Sequence, residues 1–240
     1  MKKREIAESV EKQPYFEAVA SIPEPEQYDG TRELRELYPF LISGGKNTER
    51  YYFMHINDKT DYKFNIKPKY FGDESSYTEV FPKRIKEILS VNNGAKIFCV
   101  FDWDTVYENK TNLKKQKAFE QLFQEEISRG IVVLCPSMPS IEYWFLLHFM
   151  DDPKLLKSCD RALKVLNPYL KPYFIHTEKS LKKLLKSEKY LKDATWVERL
   201  CADGKLNEAI GRAEKNIDIA TVSGELDKQS YSYVYKVFKR

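Results

Sequence analysis

The chain has 240 residues and a net charge of +4; 42% are hydrophobic, 32% charged and 14% aromatic. Those proportions suit one medium domain, or a domain with a helical annex, and exclude global disorder. No run approaches the ~20 apolar residues of a membrane-spanning helix, and Met-Lys-Lys-Arg at the start leads into acids rather than an apolar leader.

Residues 1–37 carry Pro14, Pro23 and Pro25 among acids with little periodicity, and are expected to form an N-terminal arm. Pro39-Phe40-Leu41-Ile42 then reads as a buried strand that stops at Gly44-Gly45. A helix follows from Asn47 or Thr48 as N-cap, and Tyr62 to Ile66 alternates like a strand. Val80, Ile85, Ile88 and Leu89 make a helical stripe ended by Asn92-Asn93-Gly94. The clearest strand is Lys96 to Phe101, whose unbroken apolar run suits burial on both faces of a parallel sheet. A helix through Ala118, Leu122 and Ile127, closed by Gly130, precedes a strand at Ile131–Leu134 and a helix over Ser140–Phe149. From residue 151 the pattern is helical, with breaks predicted at Pro168, Pro172 and Gly204. The expected fold is therefore α/β: a small parallel sheet of Rossmann type over 38–150, flanked by helices, with a C-terminal lysine-rich helical annex over 151–240.

Asp102 and Asp104 follow the clearest strand directly. Ligands of parallel α/β sheets bind at the carboxyl ends of strands, and two carboxylates two residues apart can face one crevice and share a hard cation. Glu142 is an acid inside an apolar helical run, a costly position unless the helix dipole or a ligand compensates. Gly44-Gly45-Lys46 lacks the Walker pattern, but Lys46 and Arg50 beside a helix start suit phosphate. Cys99, Cys135, Cys159 and Cys201 have no CxxC spacing, so reduced thiols in a cytoplasmic protein are expected, with no zinc site. Residues 151–193 hold eleven bases against six acids. Lys182, Lys183 and Lys186 there could track phosphates, with Tyr169, Tyr173, Phe174 and Tyr190 stacking on bases; alternatively the aromatics pack inside the annex and the lysines keep it soluble.

Three blocks carry a resemblance. Ser43-Gly44-Gly45-Lys46-Asn47-Thr48-Glu49-Arg50-Tyr51-Tyr52-Phe53 resembles the CEGxxTExxYF block of RloB-like proteins. Val100-Phe101-Asp102-Trp103-Asp104 resembles their VFDxD block, and Ser137 through Phe149 resembles SNPxFExWxLLHF. The resemblance implies a Toprim-like domain, the α/β module of topoisomerases, primases and some nucleases. It implies that Asp102 and Asp104 hold Mg²⁺ or Mn²⁺, with Glu142 as a further ligand. It also matches Glu49, Glu142 and His148 to family residues as catalytic candidates. One departure is that the family's glutamate after the first strand falls on Gly44. The implied function is a Mg²⁺-dependent phosphodiesterase acting on DNA or RNA in phage defence beside an ATPase partner. The alternative is a catalytically silent subunit that binds nucleic acid or that ATPase.

Overall fold

The computed structural model describes residues 38–45, 47–67, 77–107, 109–152 and 154–239. The expected N-terminal arm and Lys46 lie outside the described residues. The first half runs β1 (Phe40–Ser43), α1 (Thr48–Lys59), β2 (Asn65–Lys67), α2 (Tyr77–Val91), β3 (Ile97–Asp102), α3 (Asp104–Tyr107), α4 (Lys110–Leu122), α5 (Gln124–Ser128), β4 (Val132–Met138) and α6 (Ile141–Leu147). Then come α7 (Cys159–Leu170), α8 (Leu181–Lys186), α9 (Glu188–Leu191), α10 (Thr195–Cys201), α11 (Lys205–Ser223), a two-residue β5 (Tyr231–Ser232) and a closing 3₁₀ turn, Tyr233–Phe238.

The sheet order is β2-β1-β3-β4-β5. The first four strands are parallel and β5 is antiparallel to β4. The strand order reverses between β1 and β3, which places the crevice of an open α/β sheet at their carboxyl ends. All five residues from Ile97 to Phe101 are buried, because helices cover both faces. Alternation then sorts them. Phe98 and Val100 face a large core built with α1, α6, α7 and the later helices, whereas Ile97, Cys99 and Phe101 face a smaller core with α2 and α4.

Several elements depart from the sequence pattern. The strand expected over Tyr62–Ile66 begins only at Asn65, and Tyr62 instead meets the Phe238 ring edge-on at 5.0 Å. Pro168 does not break the chain: it sits in the last turn of α7, where the missing N–H costs a single helical bond, and the helix runs on to Leu170. Pro172 and Gly204 do mark ends; Gly204 takes a left-handed φ of 78° immediately before α11. The helix expected to run through to Ile127 is interrupted at Phe123, and Gly130 closes α5 with a φ of 69°.

The strand β5 lies in the region that reads as purely helical. A two-residue strand is too short to leave a periodic signal.

The annex shares the large core with the sheet. Phe238 stacks on Trp144 with centroids 5.6 Å apart and 12° between planes, and it also packs on Phe53 and Phe64. Phe174 stacks on Trp196 at 5.4 Å, and Trp196 in turn touches Tyr52 and Phe145. Phe238→Ala should therefore lower the unfolding free energy by about 3–5 kcal/mol in urea titration, despite its place near the end of the chain.

Candidate functional site

The crevice is assembled from the residues that follow β1, β3 and β4. Asp102 is the last residue of β3 and Asp104 the first of α3. The turn between them is held by the β4 end: Trp103 N–H donates to the Ser137 carbonyl at 2.9 Å and Asp104 N–H to the Pro139 carbonyl at 3.0 Å. Asp102 Oδ1 accepts the Ile141 N–H at 2.9 Å, at the start of α6. Asp104 Oδ2 accepts the Cys159 N–H at 3.3 Å, at the start of α7. Both aspartates are thus seated by backbone donors that a helix start leaves unpaired.

Glu142 is buried on the first turn of α6, where Ser140 Oγ donates to its Oε2 at 2.6 Å. Glu49 is buried on the first turn of α1. Its carboxylate folds back over the turn after β1, in the space a Cβ on Gly45 would need. Glycine at 45 is a condition of that posture.

Asp102 is the carboxylate on which the other three act. Burial raises the Asp102 carboxyl well above its ordinary value, and the Glu49, Glu142 and Asp104 charges push it further, against the Ile141 N–H. Burial also raises Glu142, with Asp104 adding to it and the Ser140 hydroxyl opposing. Glu49, Asp102, Asp104 and Glu142 therefore share one crevice, as the sequence led us to expect for Asp102, Asp104 and Glu142. Cys159 adjoins them as a neutral thiol, pushed up to about 12 by burial and by Glu142.

Residues missed by sequence reasoning hold this arrangement. Trp144 Nε1–H donates to the Tyr52 hydroxyl at 2.9 Å, a buried bond between the helices that carry Glu142 and Glu49. Thr48 Oγ1 donates to the Leu185 carbonyl at 2.6 Å and Asn47 Nδ2 to that of Lys186 at 2.9 Å, so the start of α1 caps the end of α8. Tyr51 donates to Glu188 Oε1 at 2.7 Å, and His55 Nε2 meets the Leu191 carbonyl at the same distance. The Thr-Glu and Glu-x-Trp spacings were the available signals; their annex partners are more than 130 residues away.

With this geometry in hand, the comparison with known families is decisive. The RloB-like protein family model matches residues 40–240. The chain belongs to the RloB-like family. No curated protein and no solved structure matches significantly.

Of the remaining predicted site residues that are described, Lys182 and Lys186 reach the crevice rim and the others stand apart from it. His148 lies in the core. Its Nδ1 meets the Trp144 carbonyl at 3.0 Å, its ring lies edge-on to Trp144 at 5.1 Å, and its Nε2 is buried without a hydrogen-bond partner. Arg212 and Lys205, rather than the acids, are the charges that reach it, and burial pulls it down to about 3.

Arg50 stands on the α1 rim, 5.5 Å from the Tyr51 ring. Lys182 pairs with Asp160 at 2.6 Å, one residue from the Cys159 that touches Asp104, and Lys186 acts on the same aspartate. These two lysines belong to the crevice rim; Lys183 is exposed on α8. Among the annex aromatics, Phe174 is core, Tyr169 stacks on Phe149 at 5.5 Å, Tyr173 also packs on Phe149, and Tyr190 meets His176. These contacts favour the packing alternative over base stacking.

A histidine held neutral in the fold but free to protonate when unfolded makes stability fall as pH drops from about 6.5 toward 3. Below 6.5 the unfolded chain binds the proton and the native chain does not, so the slope is positive and at most about 1.4 kcal/mol per pH unit. His148→Phe, which keeps a ring against Trp144, should remove that component from pH-dependent thermal melts.

Proposed function

We propose that this protein is a Mg²⁺-dependent phosphodiesterase acting on DNA or RNA. The observation that carries the reading is the convergence of Glu49, Asp102, Asp104 and Glu142 at the topological switch point. Like charges brought together in a half-buried crevice are relieved by protonation or by a bound cation, and such a cluster is a place where a cation is held. The donors are carboxylate oxygens beside a protonated thiol, a hard set that fits Mg²⁺ or Mn²⁺.

Asp102 and Asp104 are the residues that would hold the ion, with Glu142 at its edge. Bound there, Mg²⁺ supplies charge stabilisation to a phosphate and a more acidic water. Glu142 suits proton exchange at Oε1, since burial raises its carboxyl while Ser140 occupies Oε2. Glu49 orients water from the β1 side, the side on which Gly44 lacks a carboxylate. The Lys182 and Lys186 rim attracts the phosphodiester backbone. The family likeness adds an ATPase partner and a setting in phage defence.

A second reading is a silent nucleic-acid-binding subunit. One observation favours it: among the described residues, no group of three or more His, Cys, Asp or Glu side chains is arranged to hold a metal ion. Mg²⁺ needs few protein ligands because it keeps several waters, so two carboxylates suffice for the first reading.

The experiment incubates labelled single- and double-stranded DNA and RNA with the full chain, with Mg²⁺, Mn²⁺ or EDTA. Cleavage should require the metal and fall at least ~100-fold in Asp102→Asn and Asp104→Asn. Salt-sensitive binding without cleavage under every metal condition establishes the silent reading instead. Gly45→Ala gives a sharper check. The methyl group displaces only the flexible end of Glu49, so the melting temperature should stay near native while cleavage falls as far as in Glu49→Gln. A Gly45→Ala chain with native cleavage removes Glu49 from the site.

A further inference from the structure

Beside the acid crevice lies a cavity of about 430 Å³ that the reading above does not use. It begins at Trp103, the residue between Asp102 and Asp104. Trp103 and Tyr107 are one helical turn apart, joined by the Tyr107 N–H bond to the Trp103 carbonyl at 2.9 Å, and both line the cavity. Tyr231, opposite Met138 in the β4–β5 pair, lines it too, and its phenol lies close enough to Tyr107 for one to oppose ionisation of the other. The apolar walls are therefore three aromatic rings, the Met138 thioether, and Ala220 and Leu226. Thr221 and Asp227, both exposed, provide the polar side chains, and among the described residues no lysine or arginine lines the space.

This chemistry selects its occupant. Asp227 is exposed, with Lys228 close enough to act on it, so the aromatic walls rather than the charge of the lining decide the guest. Flat aromatic walls accept a flat aromatic guest on its faces. The Asp227 carboxylate accepts two hydrogen bonds side by side, which matches the adjacent N1–H and N2–H donors on the guanine edge. Adenine and cytosine each offer a single amino group there. The size is that of a small-molecule site rather than a protein interface.

We propose that this cavity receives one nucleobase, guanine in preference, of the strand whose phosphate meets the acid crevice. The inference rests on the phosphodiesterase reading for its substrate, and it supplies a sequence preference that the acids alone cannot provide. The base stacks against Trp103 and Tyr107, and Asp227 reads its edge.

The test is saturation-transfer NMR on the full chain in EDTA, with GMP, AMP, CMP, UMP and ribose 5-phosphate as separate probes. Base protons of GMP should receive the strongest transfer, and ribose 5-phosphate none. Tyr107 is half-exposed, so Tyr107→Ala should leave the melting temperature near native while weakening GMP binding about tenfold. Asp227→Asn should erase the preference of GMP over AMP without abolishing binding. Equal transfer to ribose 5-phosphate and GMP, no transfer to any nucleotide, or GMP binding indifferent to Tyr107→Ala overturns the proposal. Because binding is read without metal, it reports on the cavity and not on the metal site. A chain that cleaves but does not bind GMP defeats only the base pocket, and one that binds GMP but never cleaves defeats only the phosphodiesterase.

Discussion

Four carboxylates compressed into one half-buried crevice are the constraint around which this fold is arranged. Glu49, Glu142 and Asp104 press on Asp102, Asp104 presses on Glu142, and burial raises the cost of charge on Asp102 and Glu142. The chain answers with partial charges that are fixed in place: the start of α6 donates to Asp102, the start of α7 donates to Asp104, and Ser140 donates to Glu142. A helix start offers unpaired N–H groups at no further cost, so acids placed there are both oriented and partly neutralised. The same parallel sheet that brings the strand ends together also brings the helix starts to them, because each crossover begins where a strand stops.

Holding such a cluster demands rigidity in the helices that carry it. The Trp144–Tyr52 bond joins α6 to α1 inside the large core, and the aromatic stack of Trp144 and Phe238 closes over it. The annex then grips α1 at intervals along its length through Leu185, Lys186, Glu188 and Leu191. A deletion of the annex would strip α1 of these partners and expose the aromatic face of the core. The 38–150 and 151–240 segments can be told apart by composition, yet the large hydrophobic core draws residues from both.

What could be read from the sequence follows the range of the forces involved. The β3 run with Asp102 and Asp104 behind it is legible, because a strand buried on both faces writes its environment into consecutive residues. Glu142 is legible as an anomaly, an acid in an apolar helix. Glu49's inward fold and the α1–annex bonds are not, since they depend on contacts across more than a hundred residues. His148 is conspicuous in the sequence by residue type and motif, but its packing against Trp144, with its charge suppressed by burial, depends on the folded core. Pro168 misleads for a local reason, because the position of a proline within a helix, rather than its presence, decides whether the helix ends.

The Gly44-Gly45 pair gives the last step. A carboxylate attached directly after β1 would be fixed by the strand and would point where the pleat sends it. At Gly44 that attachment is absent, and the acid on the β1 side comes instead from the second residue of α1. For Glu49 to reach back from the helix, the turn must be bare, and a side chain at Gly45 would occupy the volume its carboxylate fills. The two features are coupled: the helix-borne acid is usable only because the turn has no side chain there. A carboxylate borne on the helix has several rotatable bonds between it and the backbone that positions it. Such a group holds its place through burial and through the turn beneath it, so its precision is set by packing rather than by the backbone.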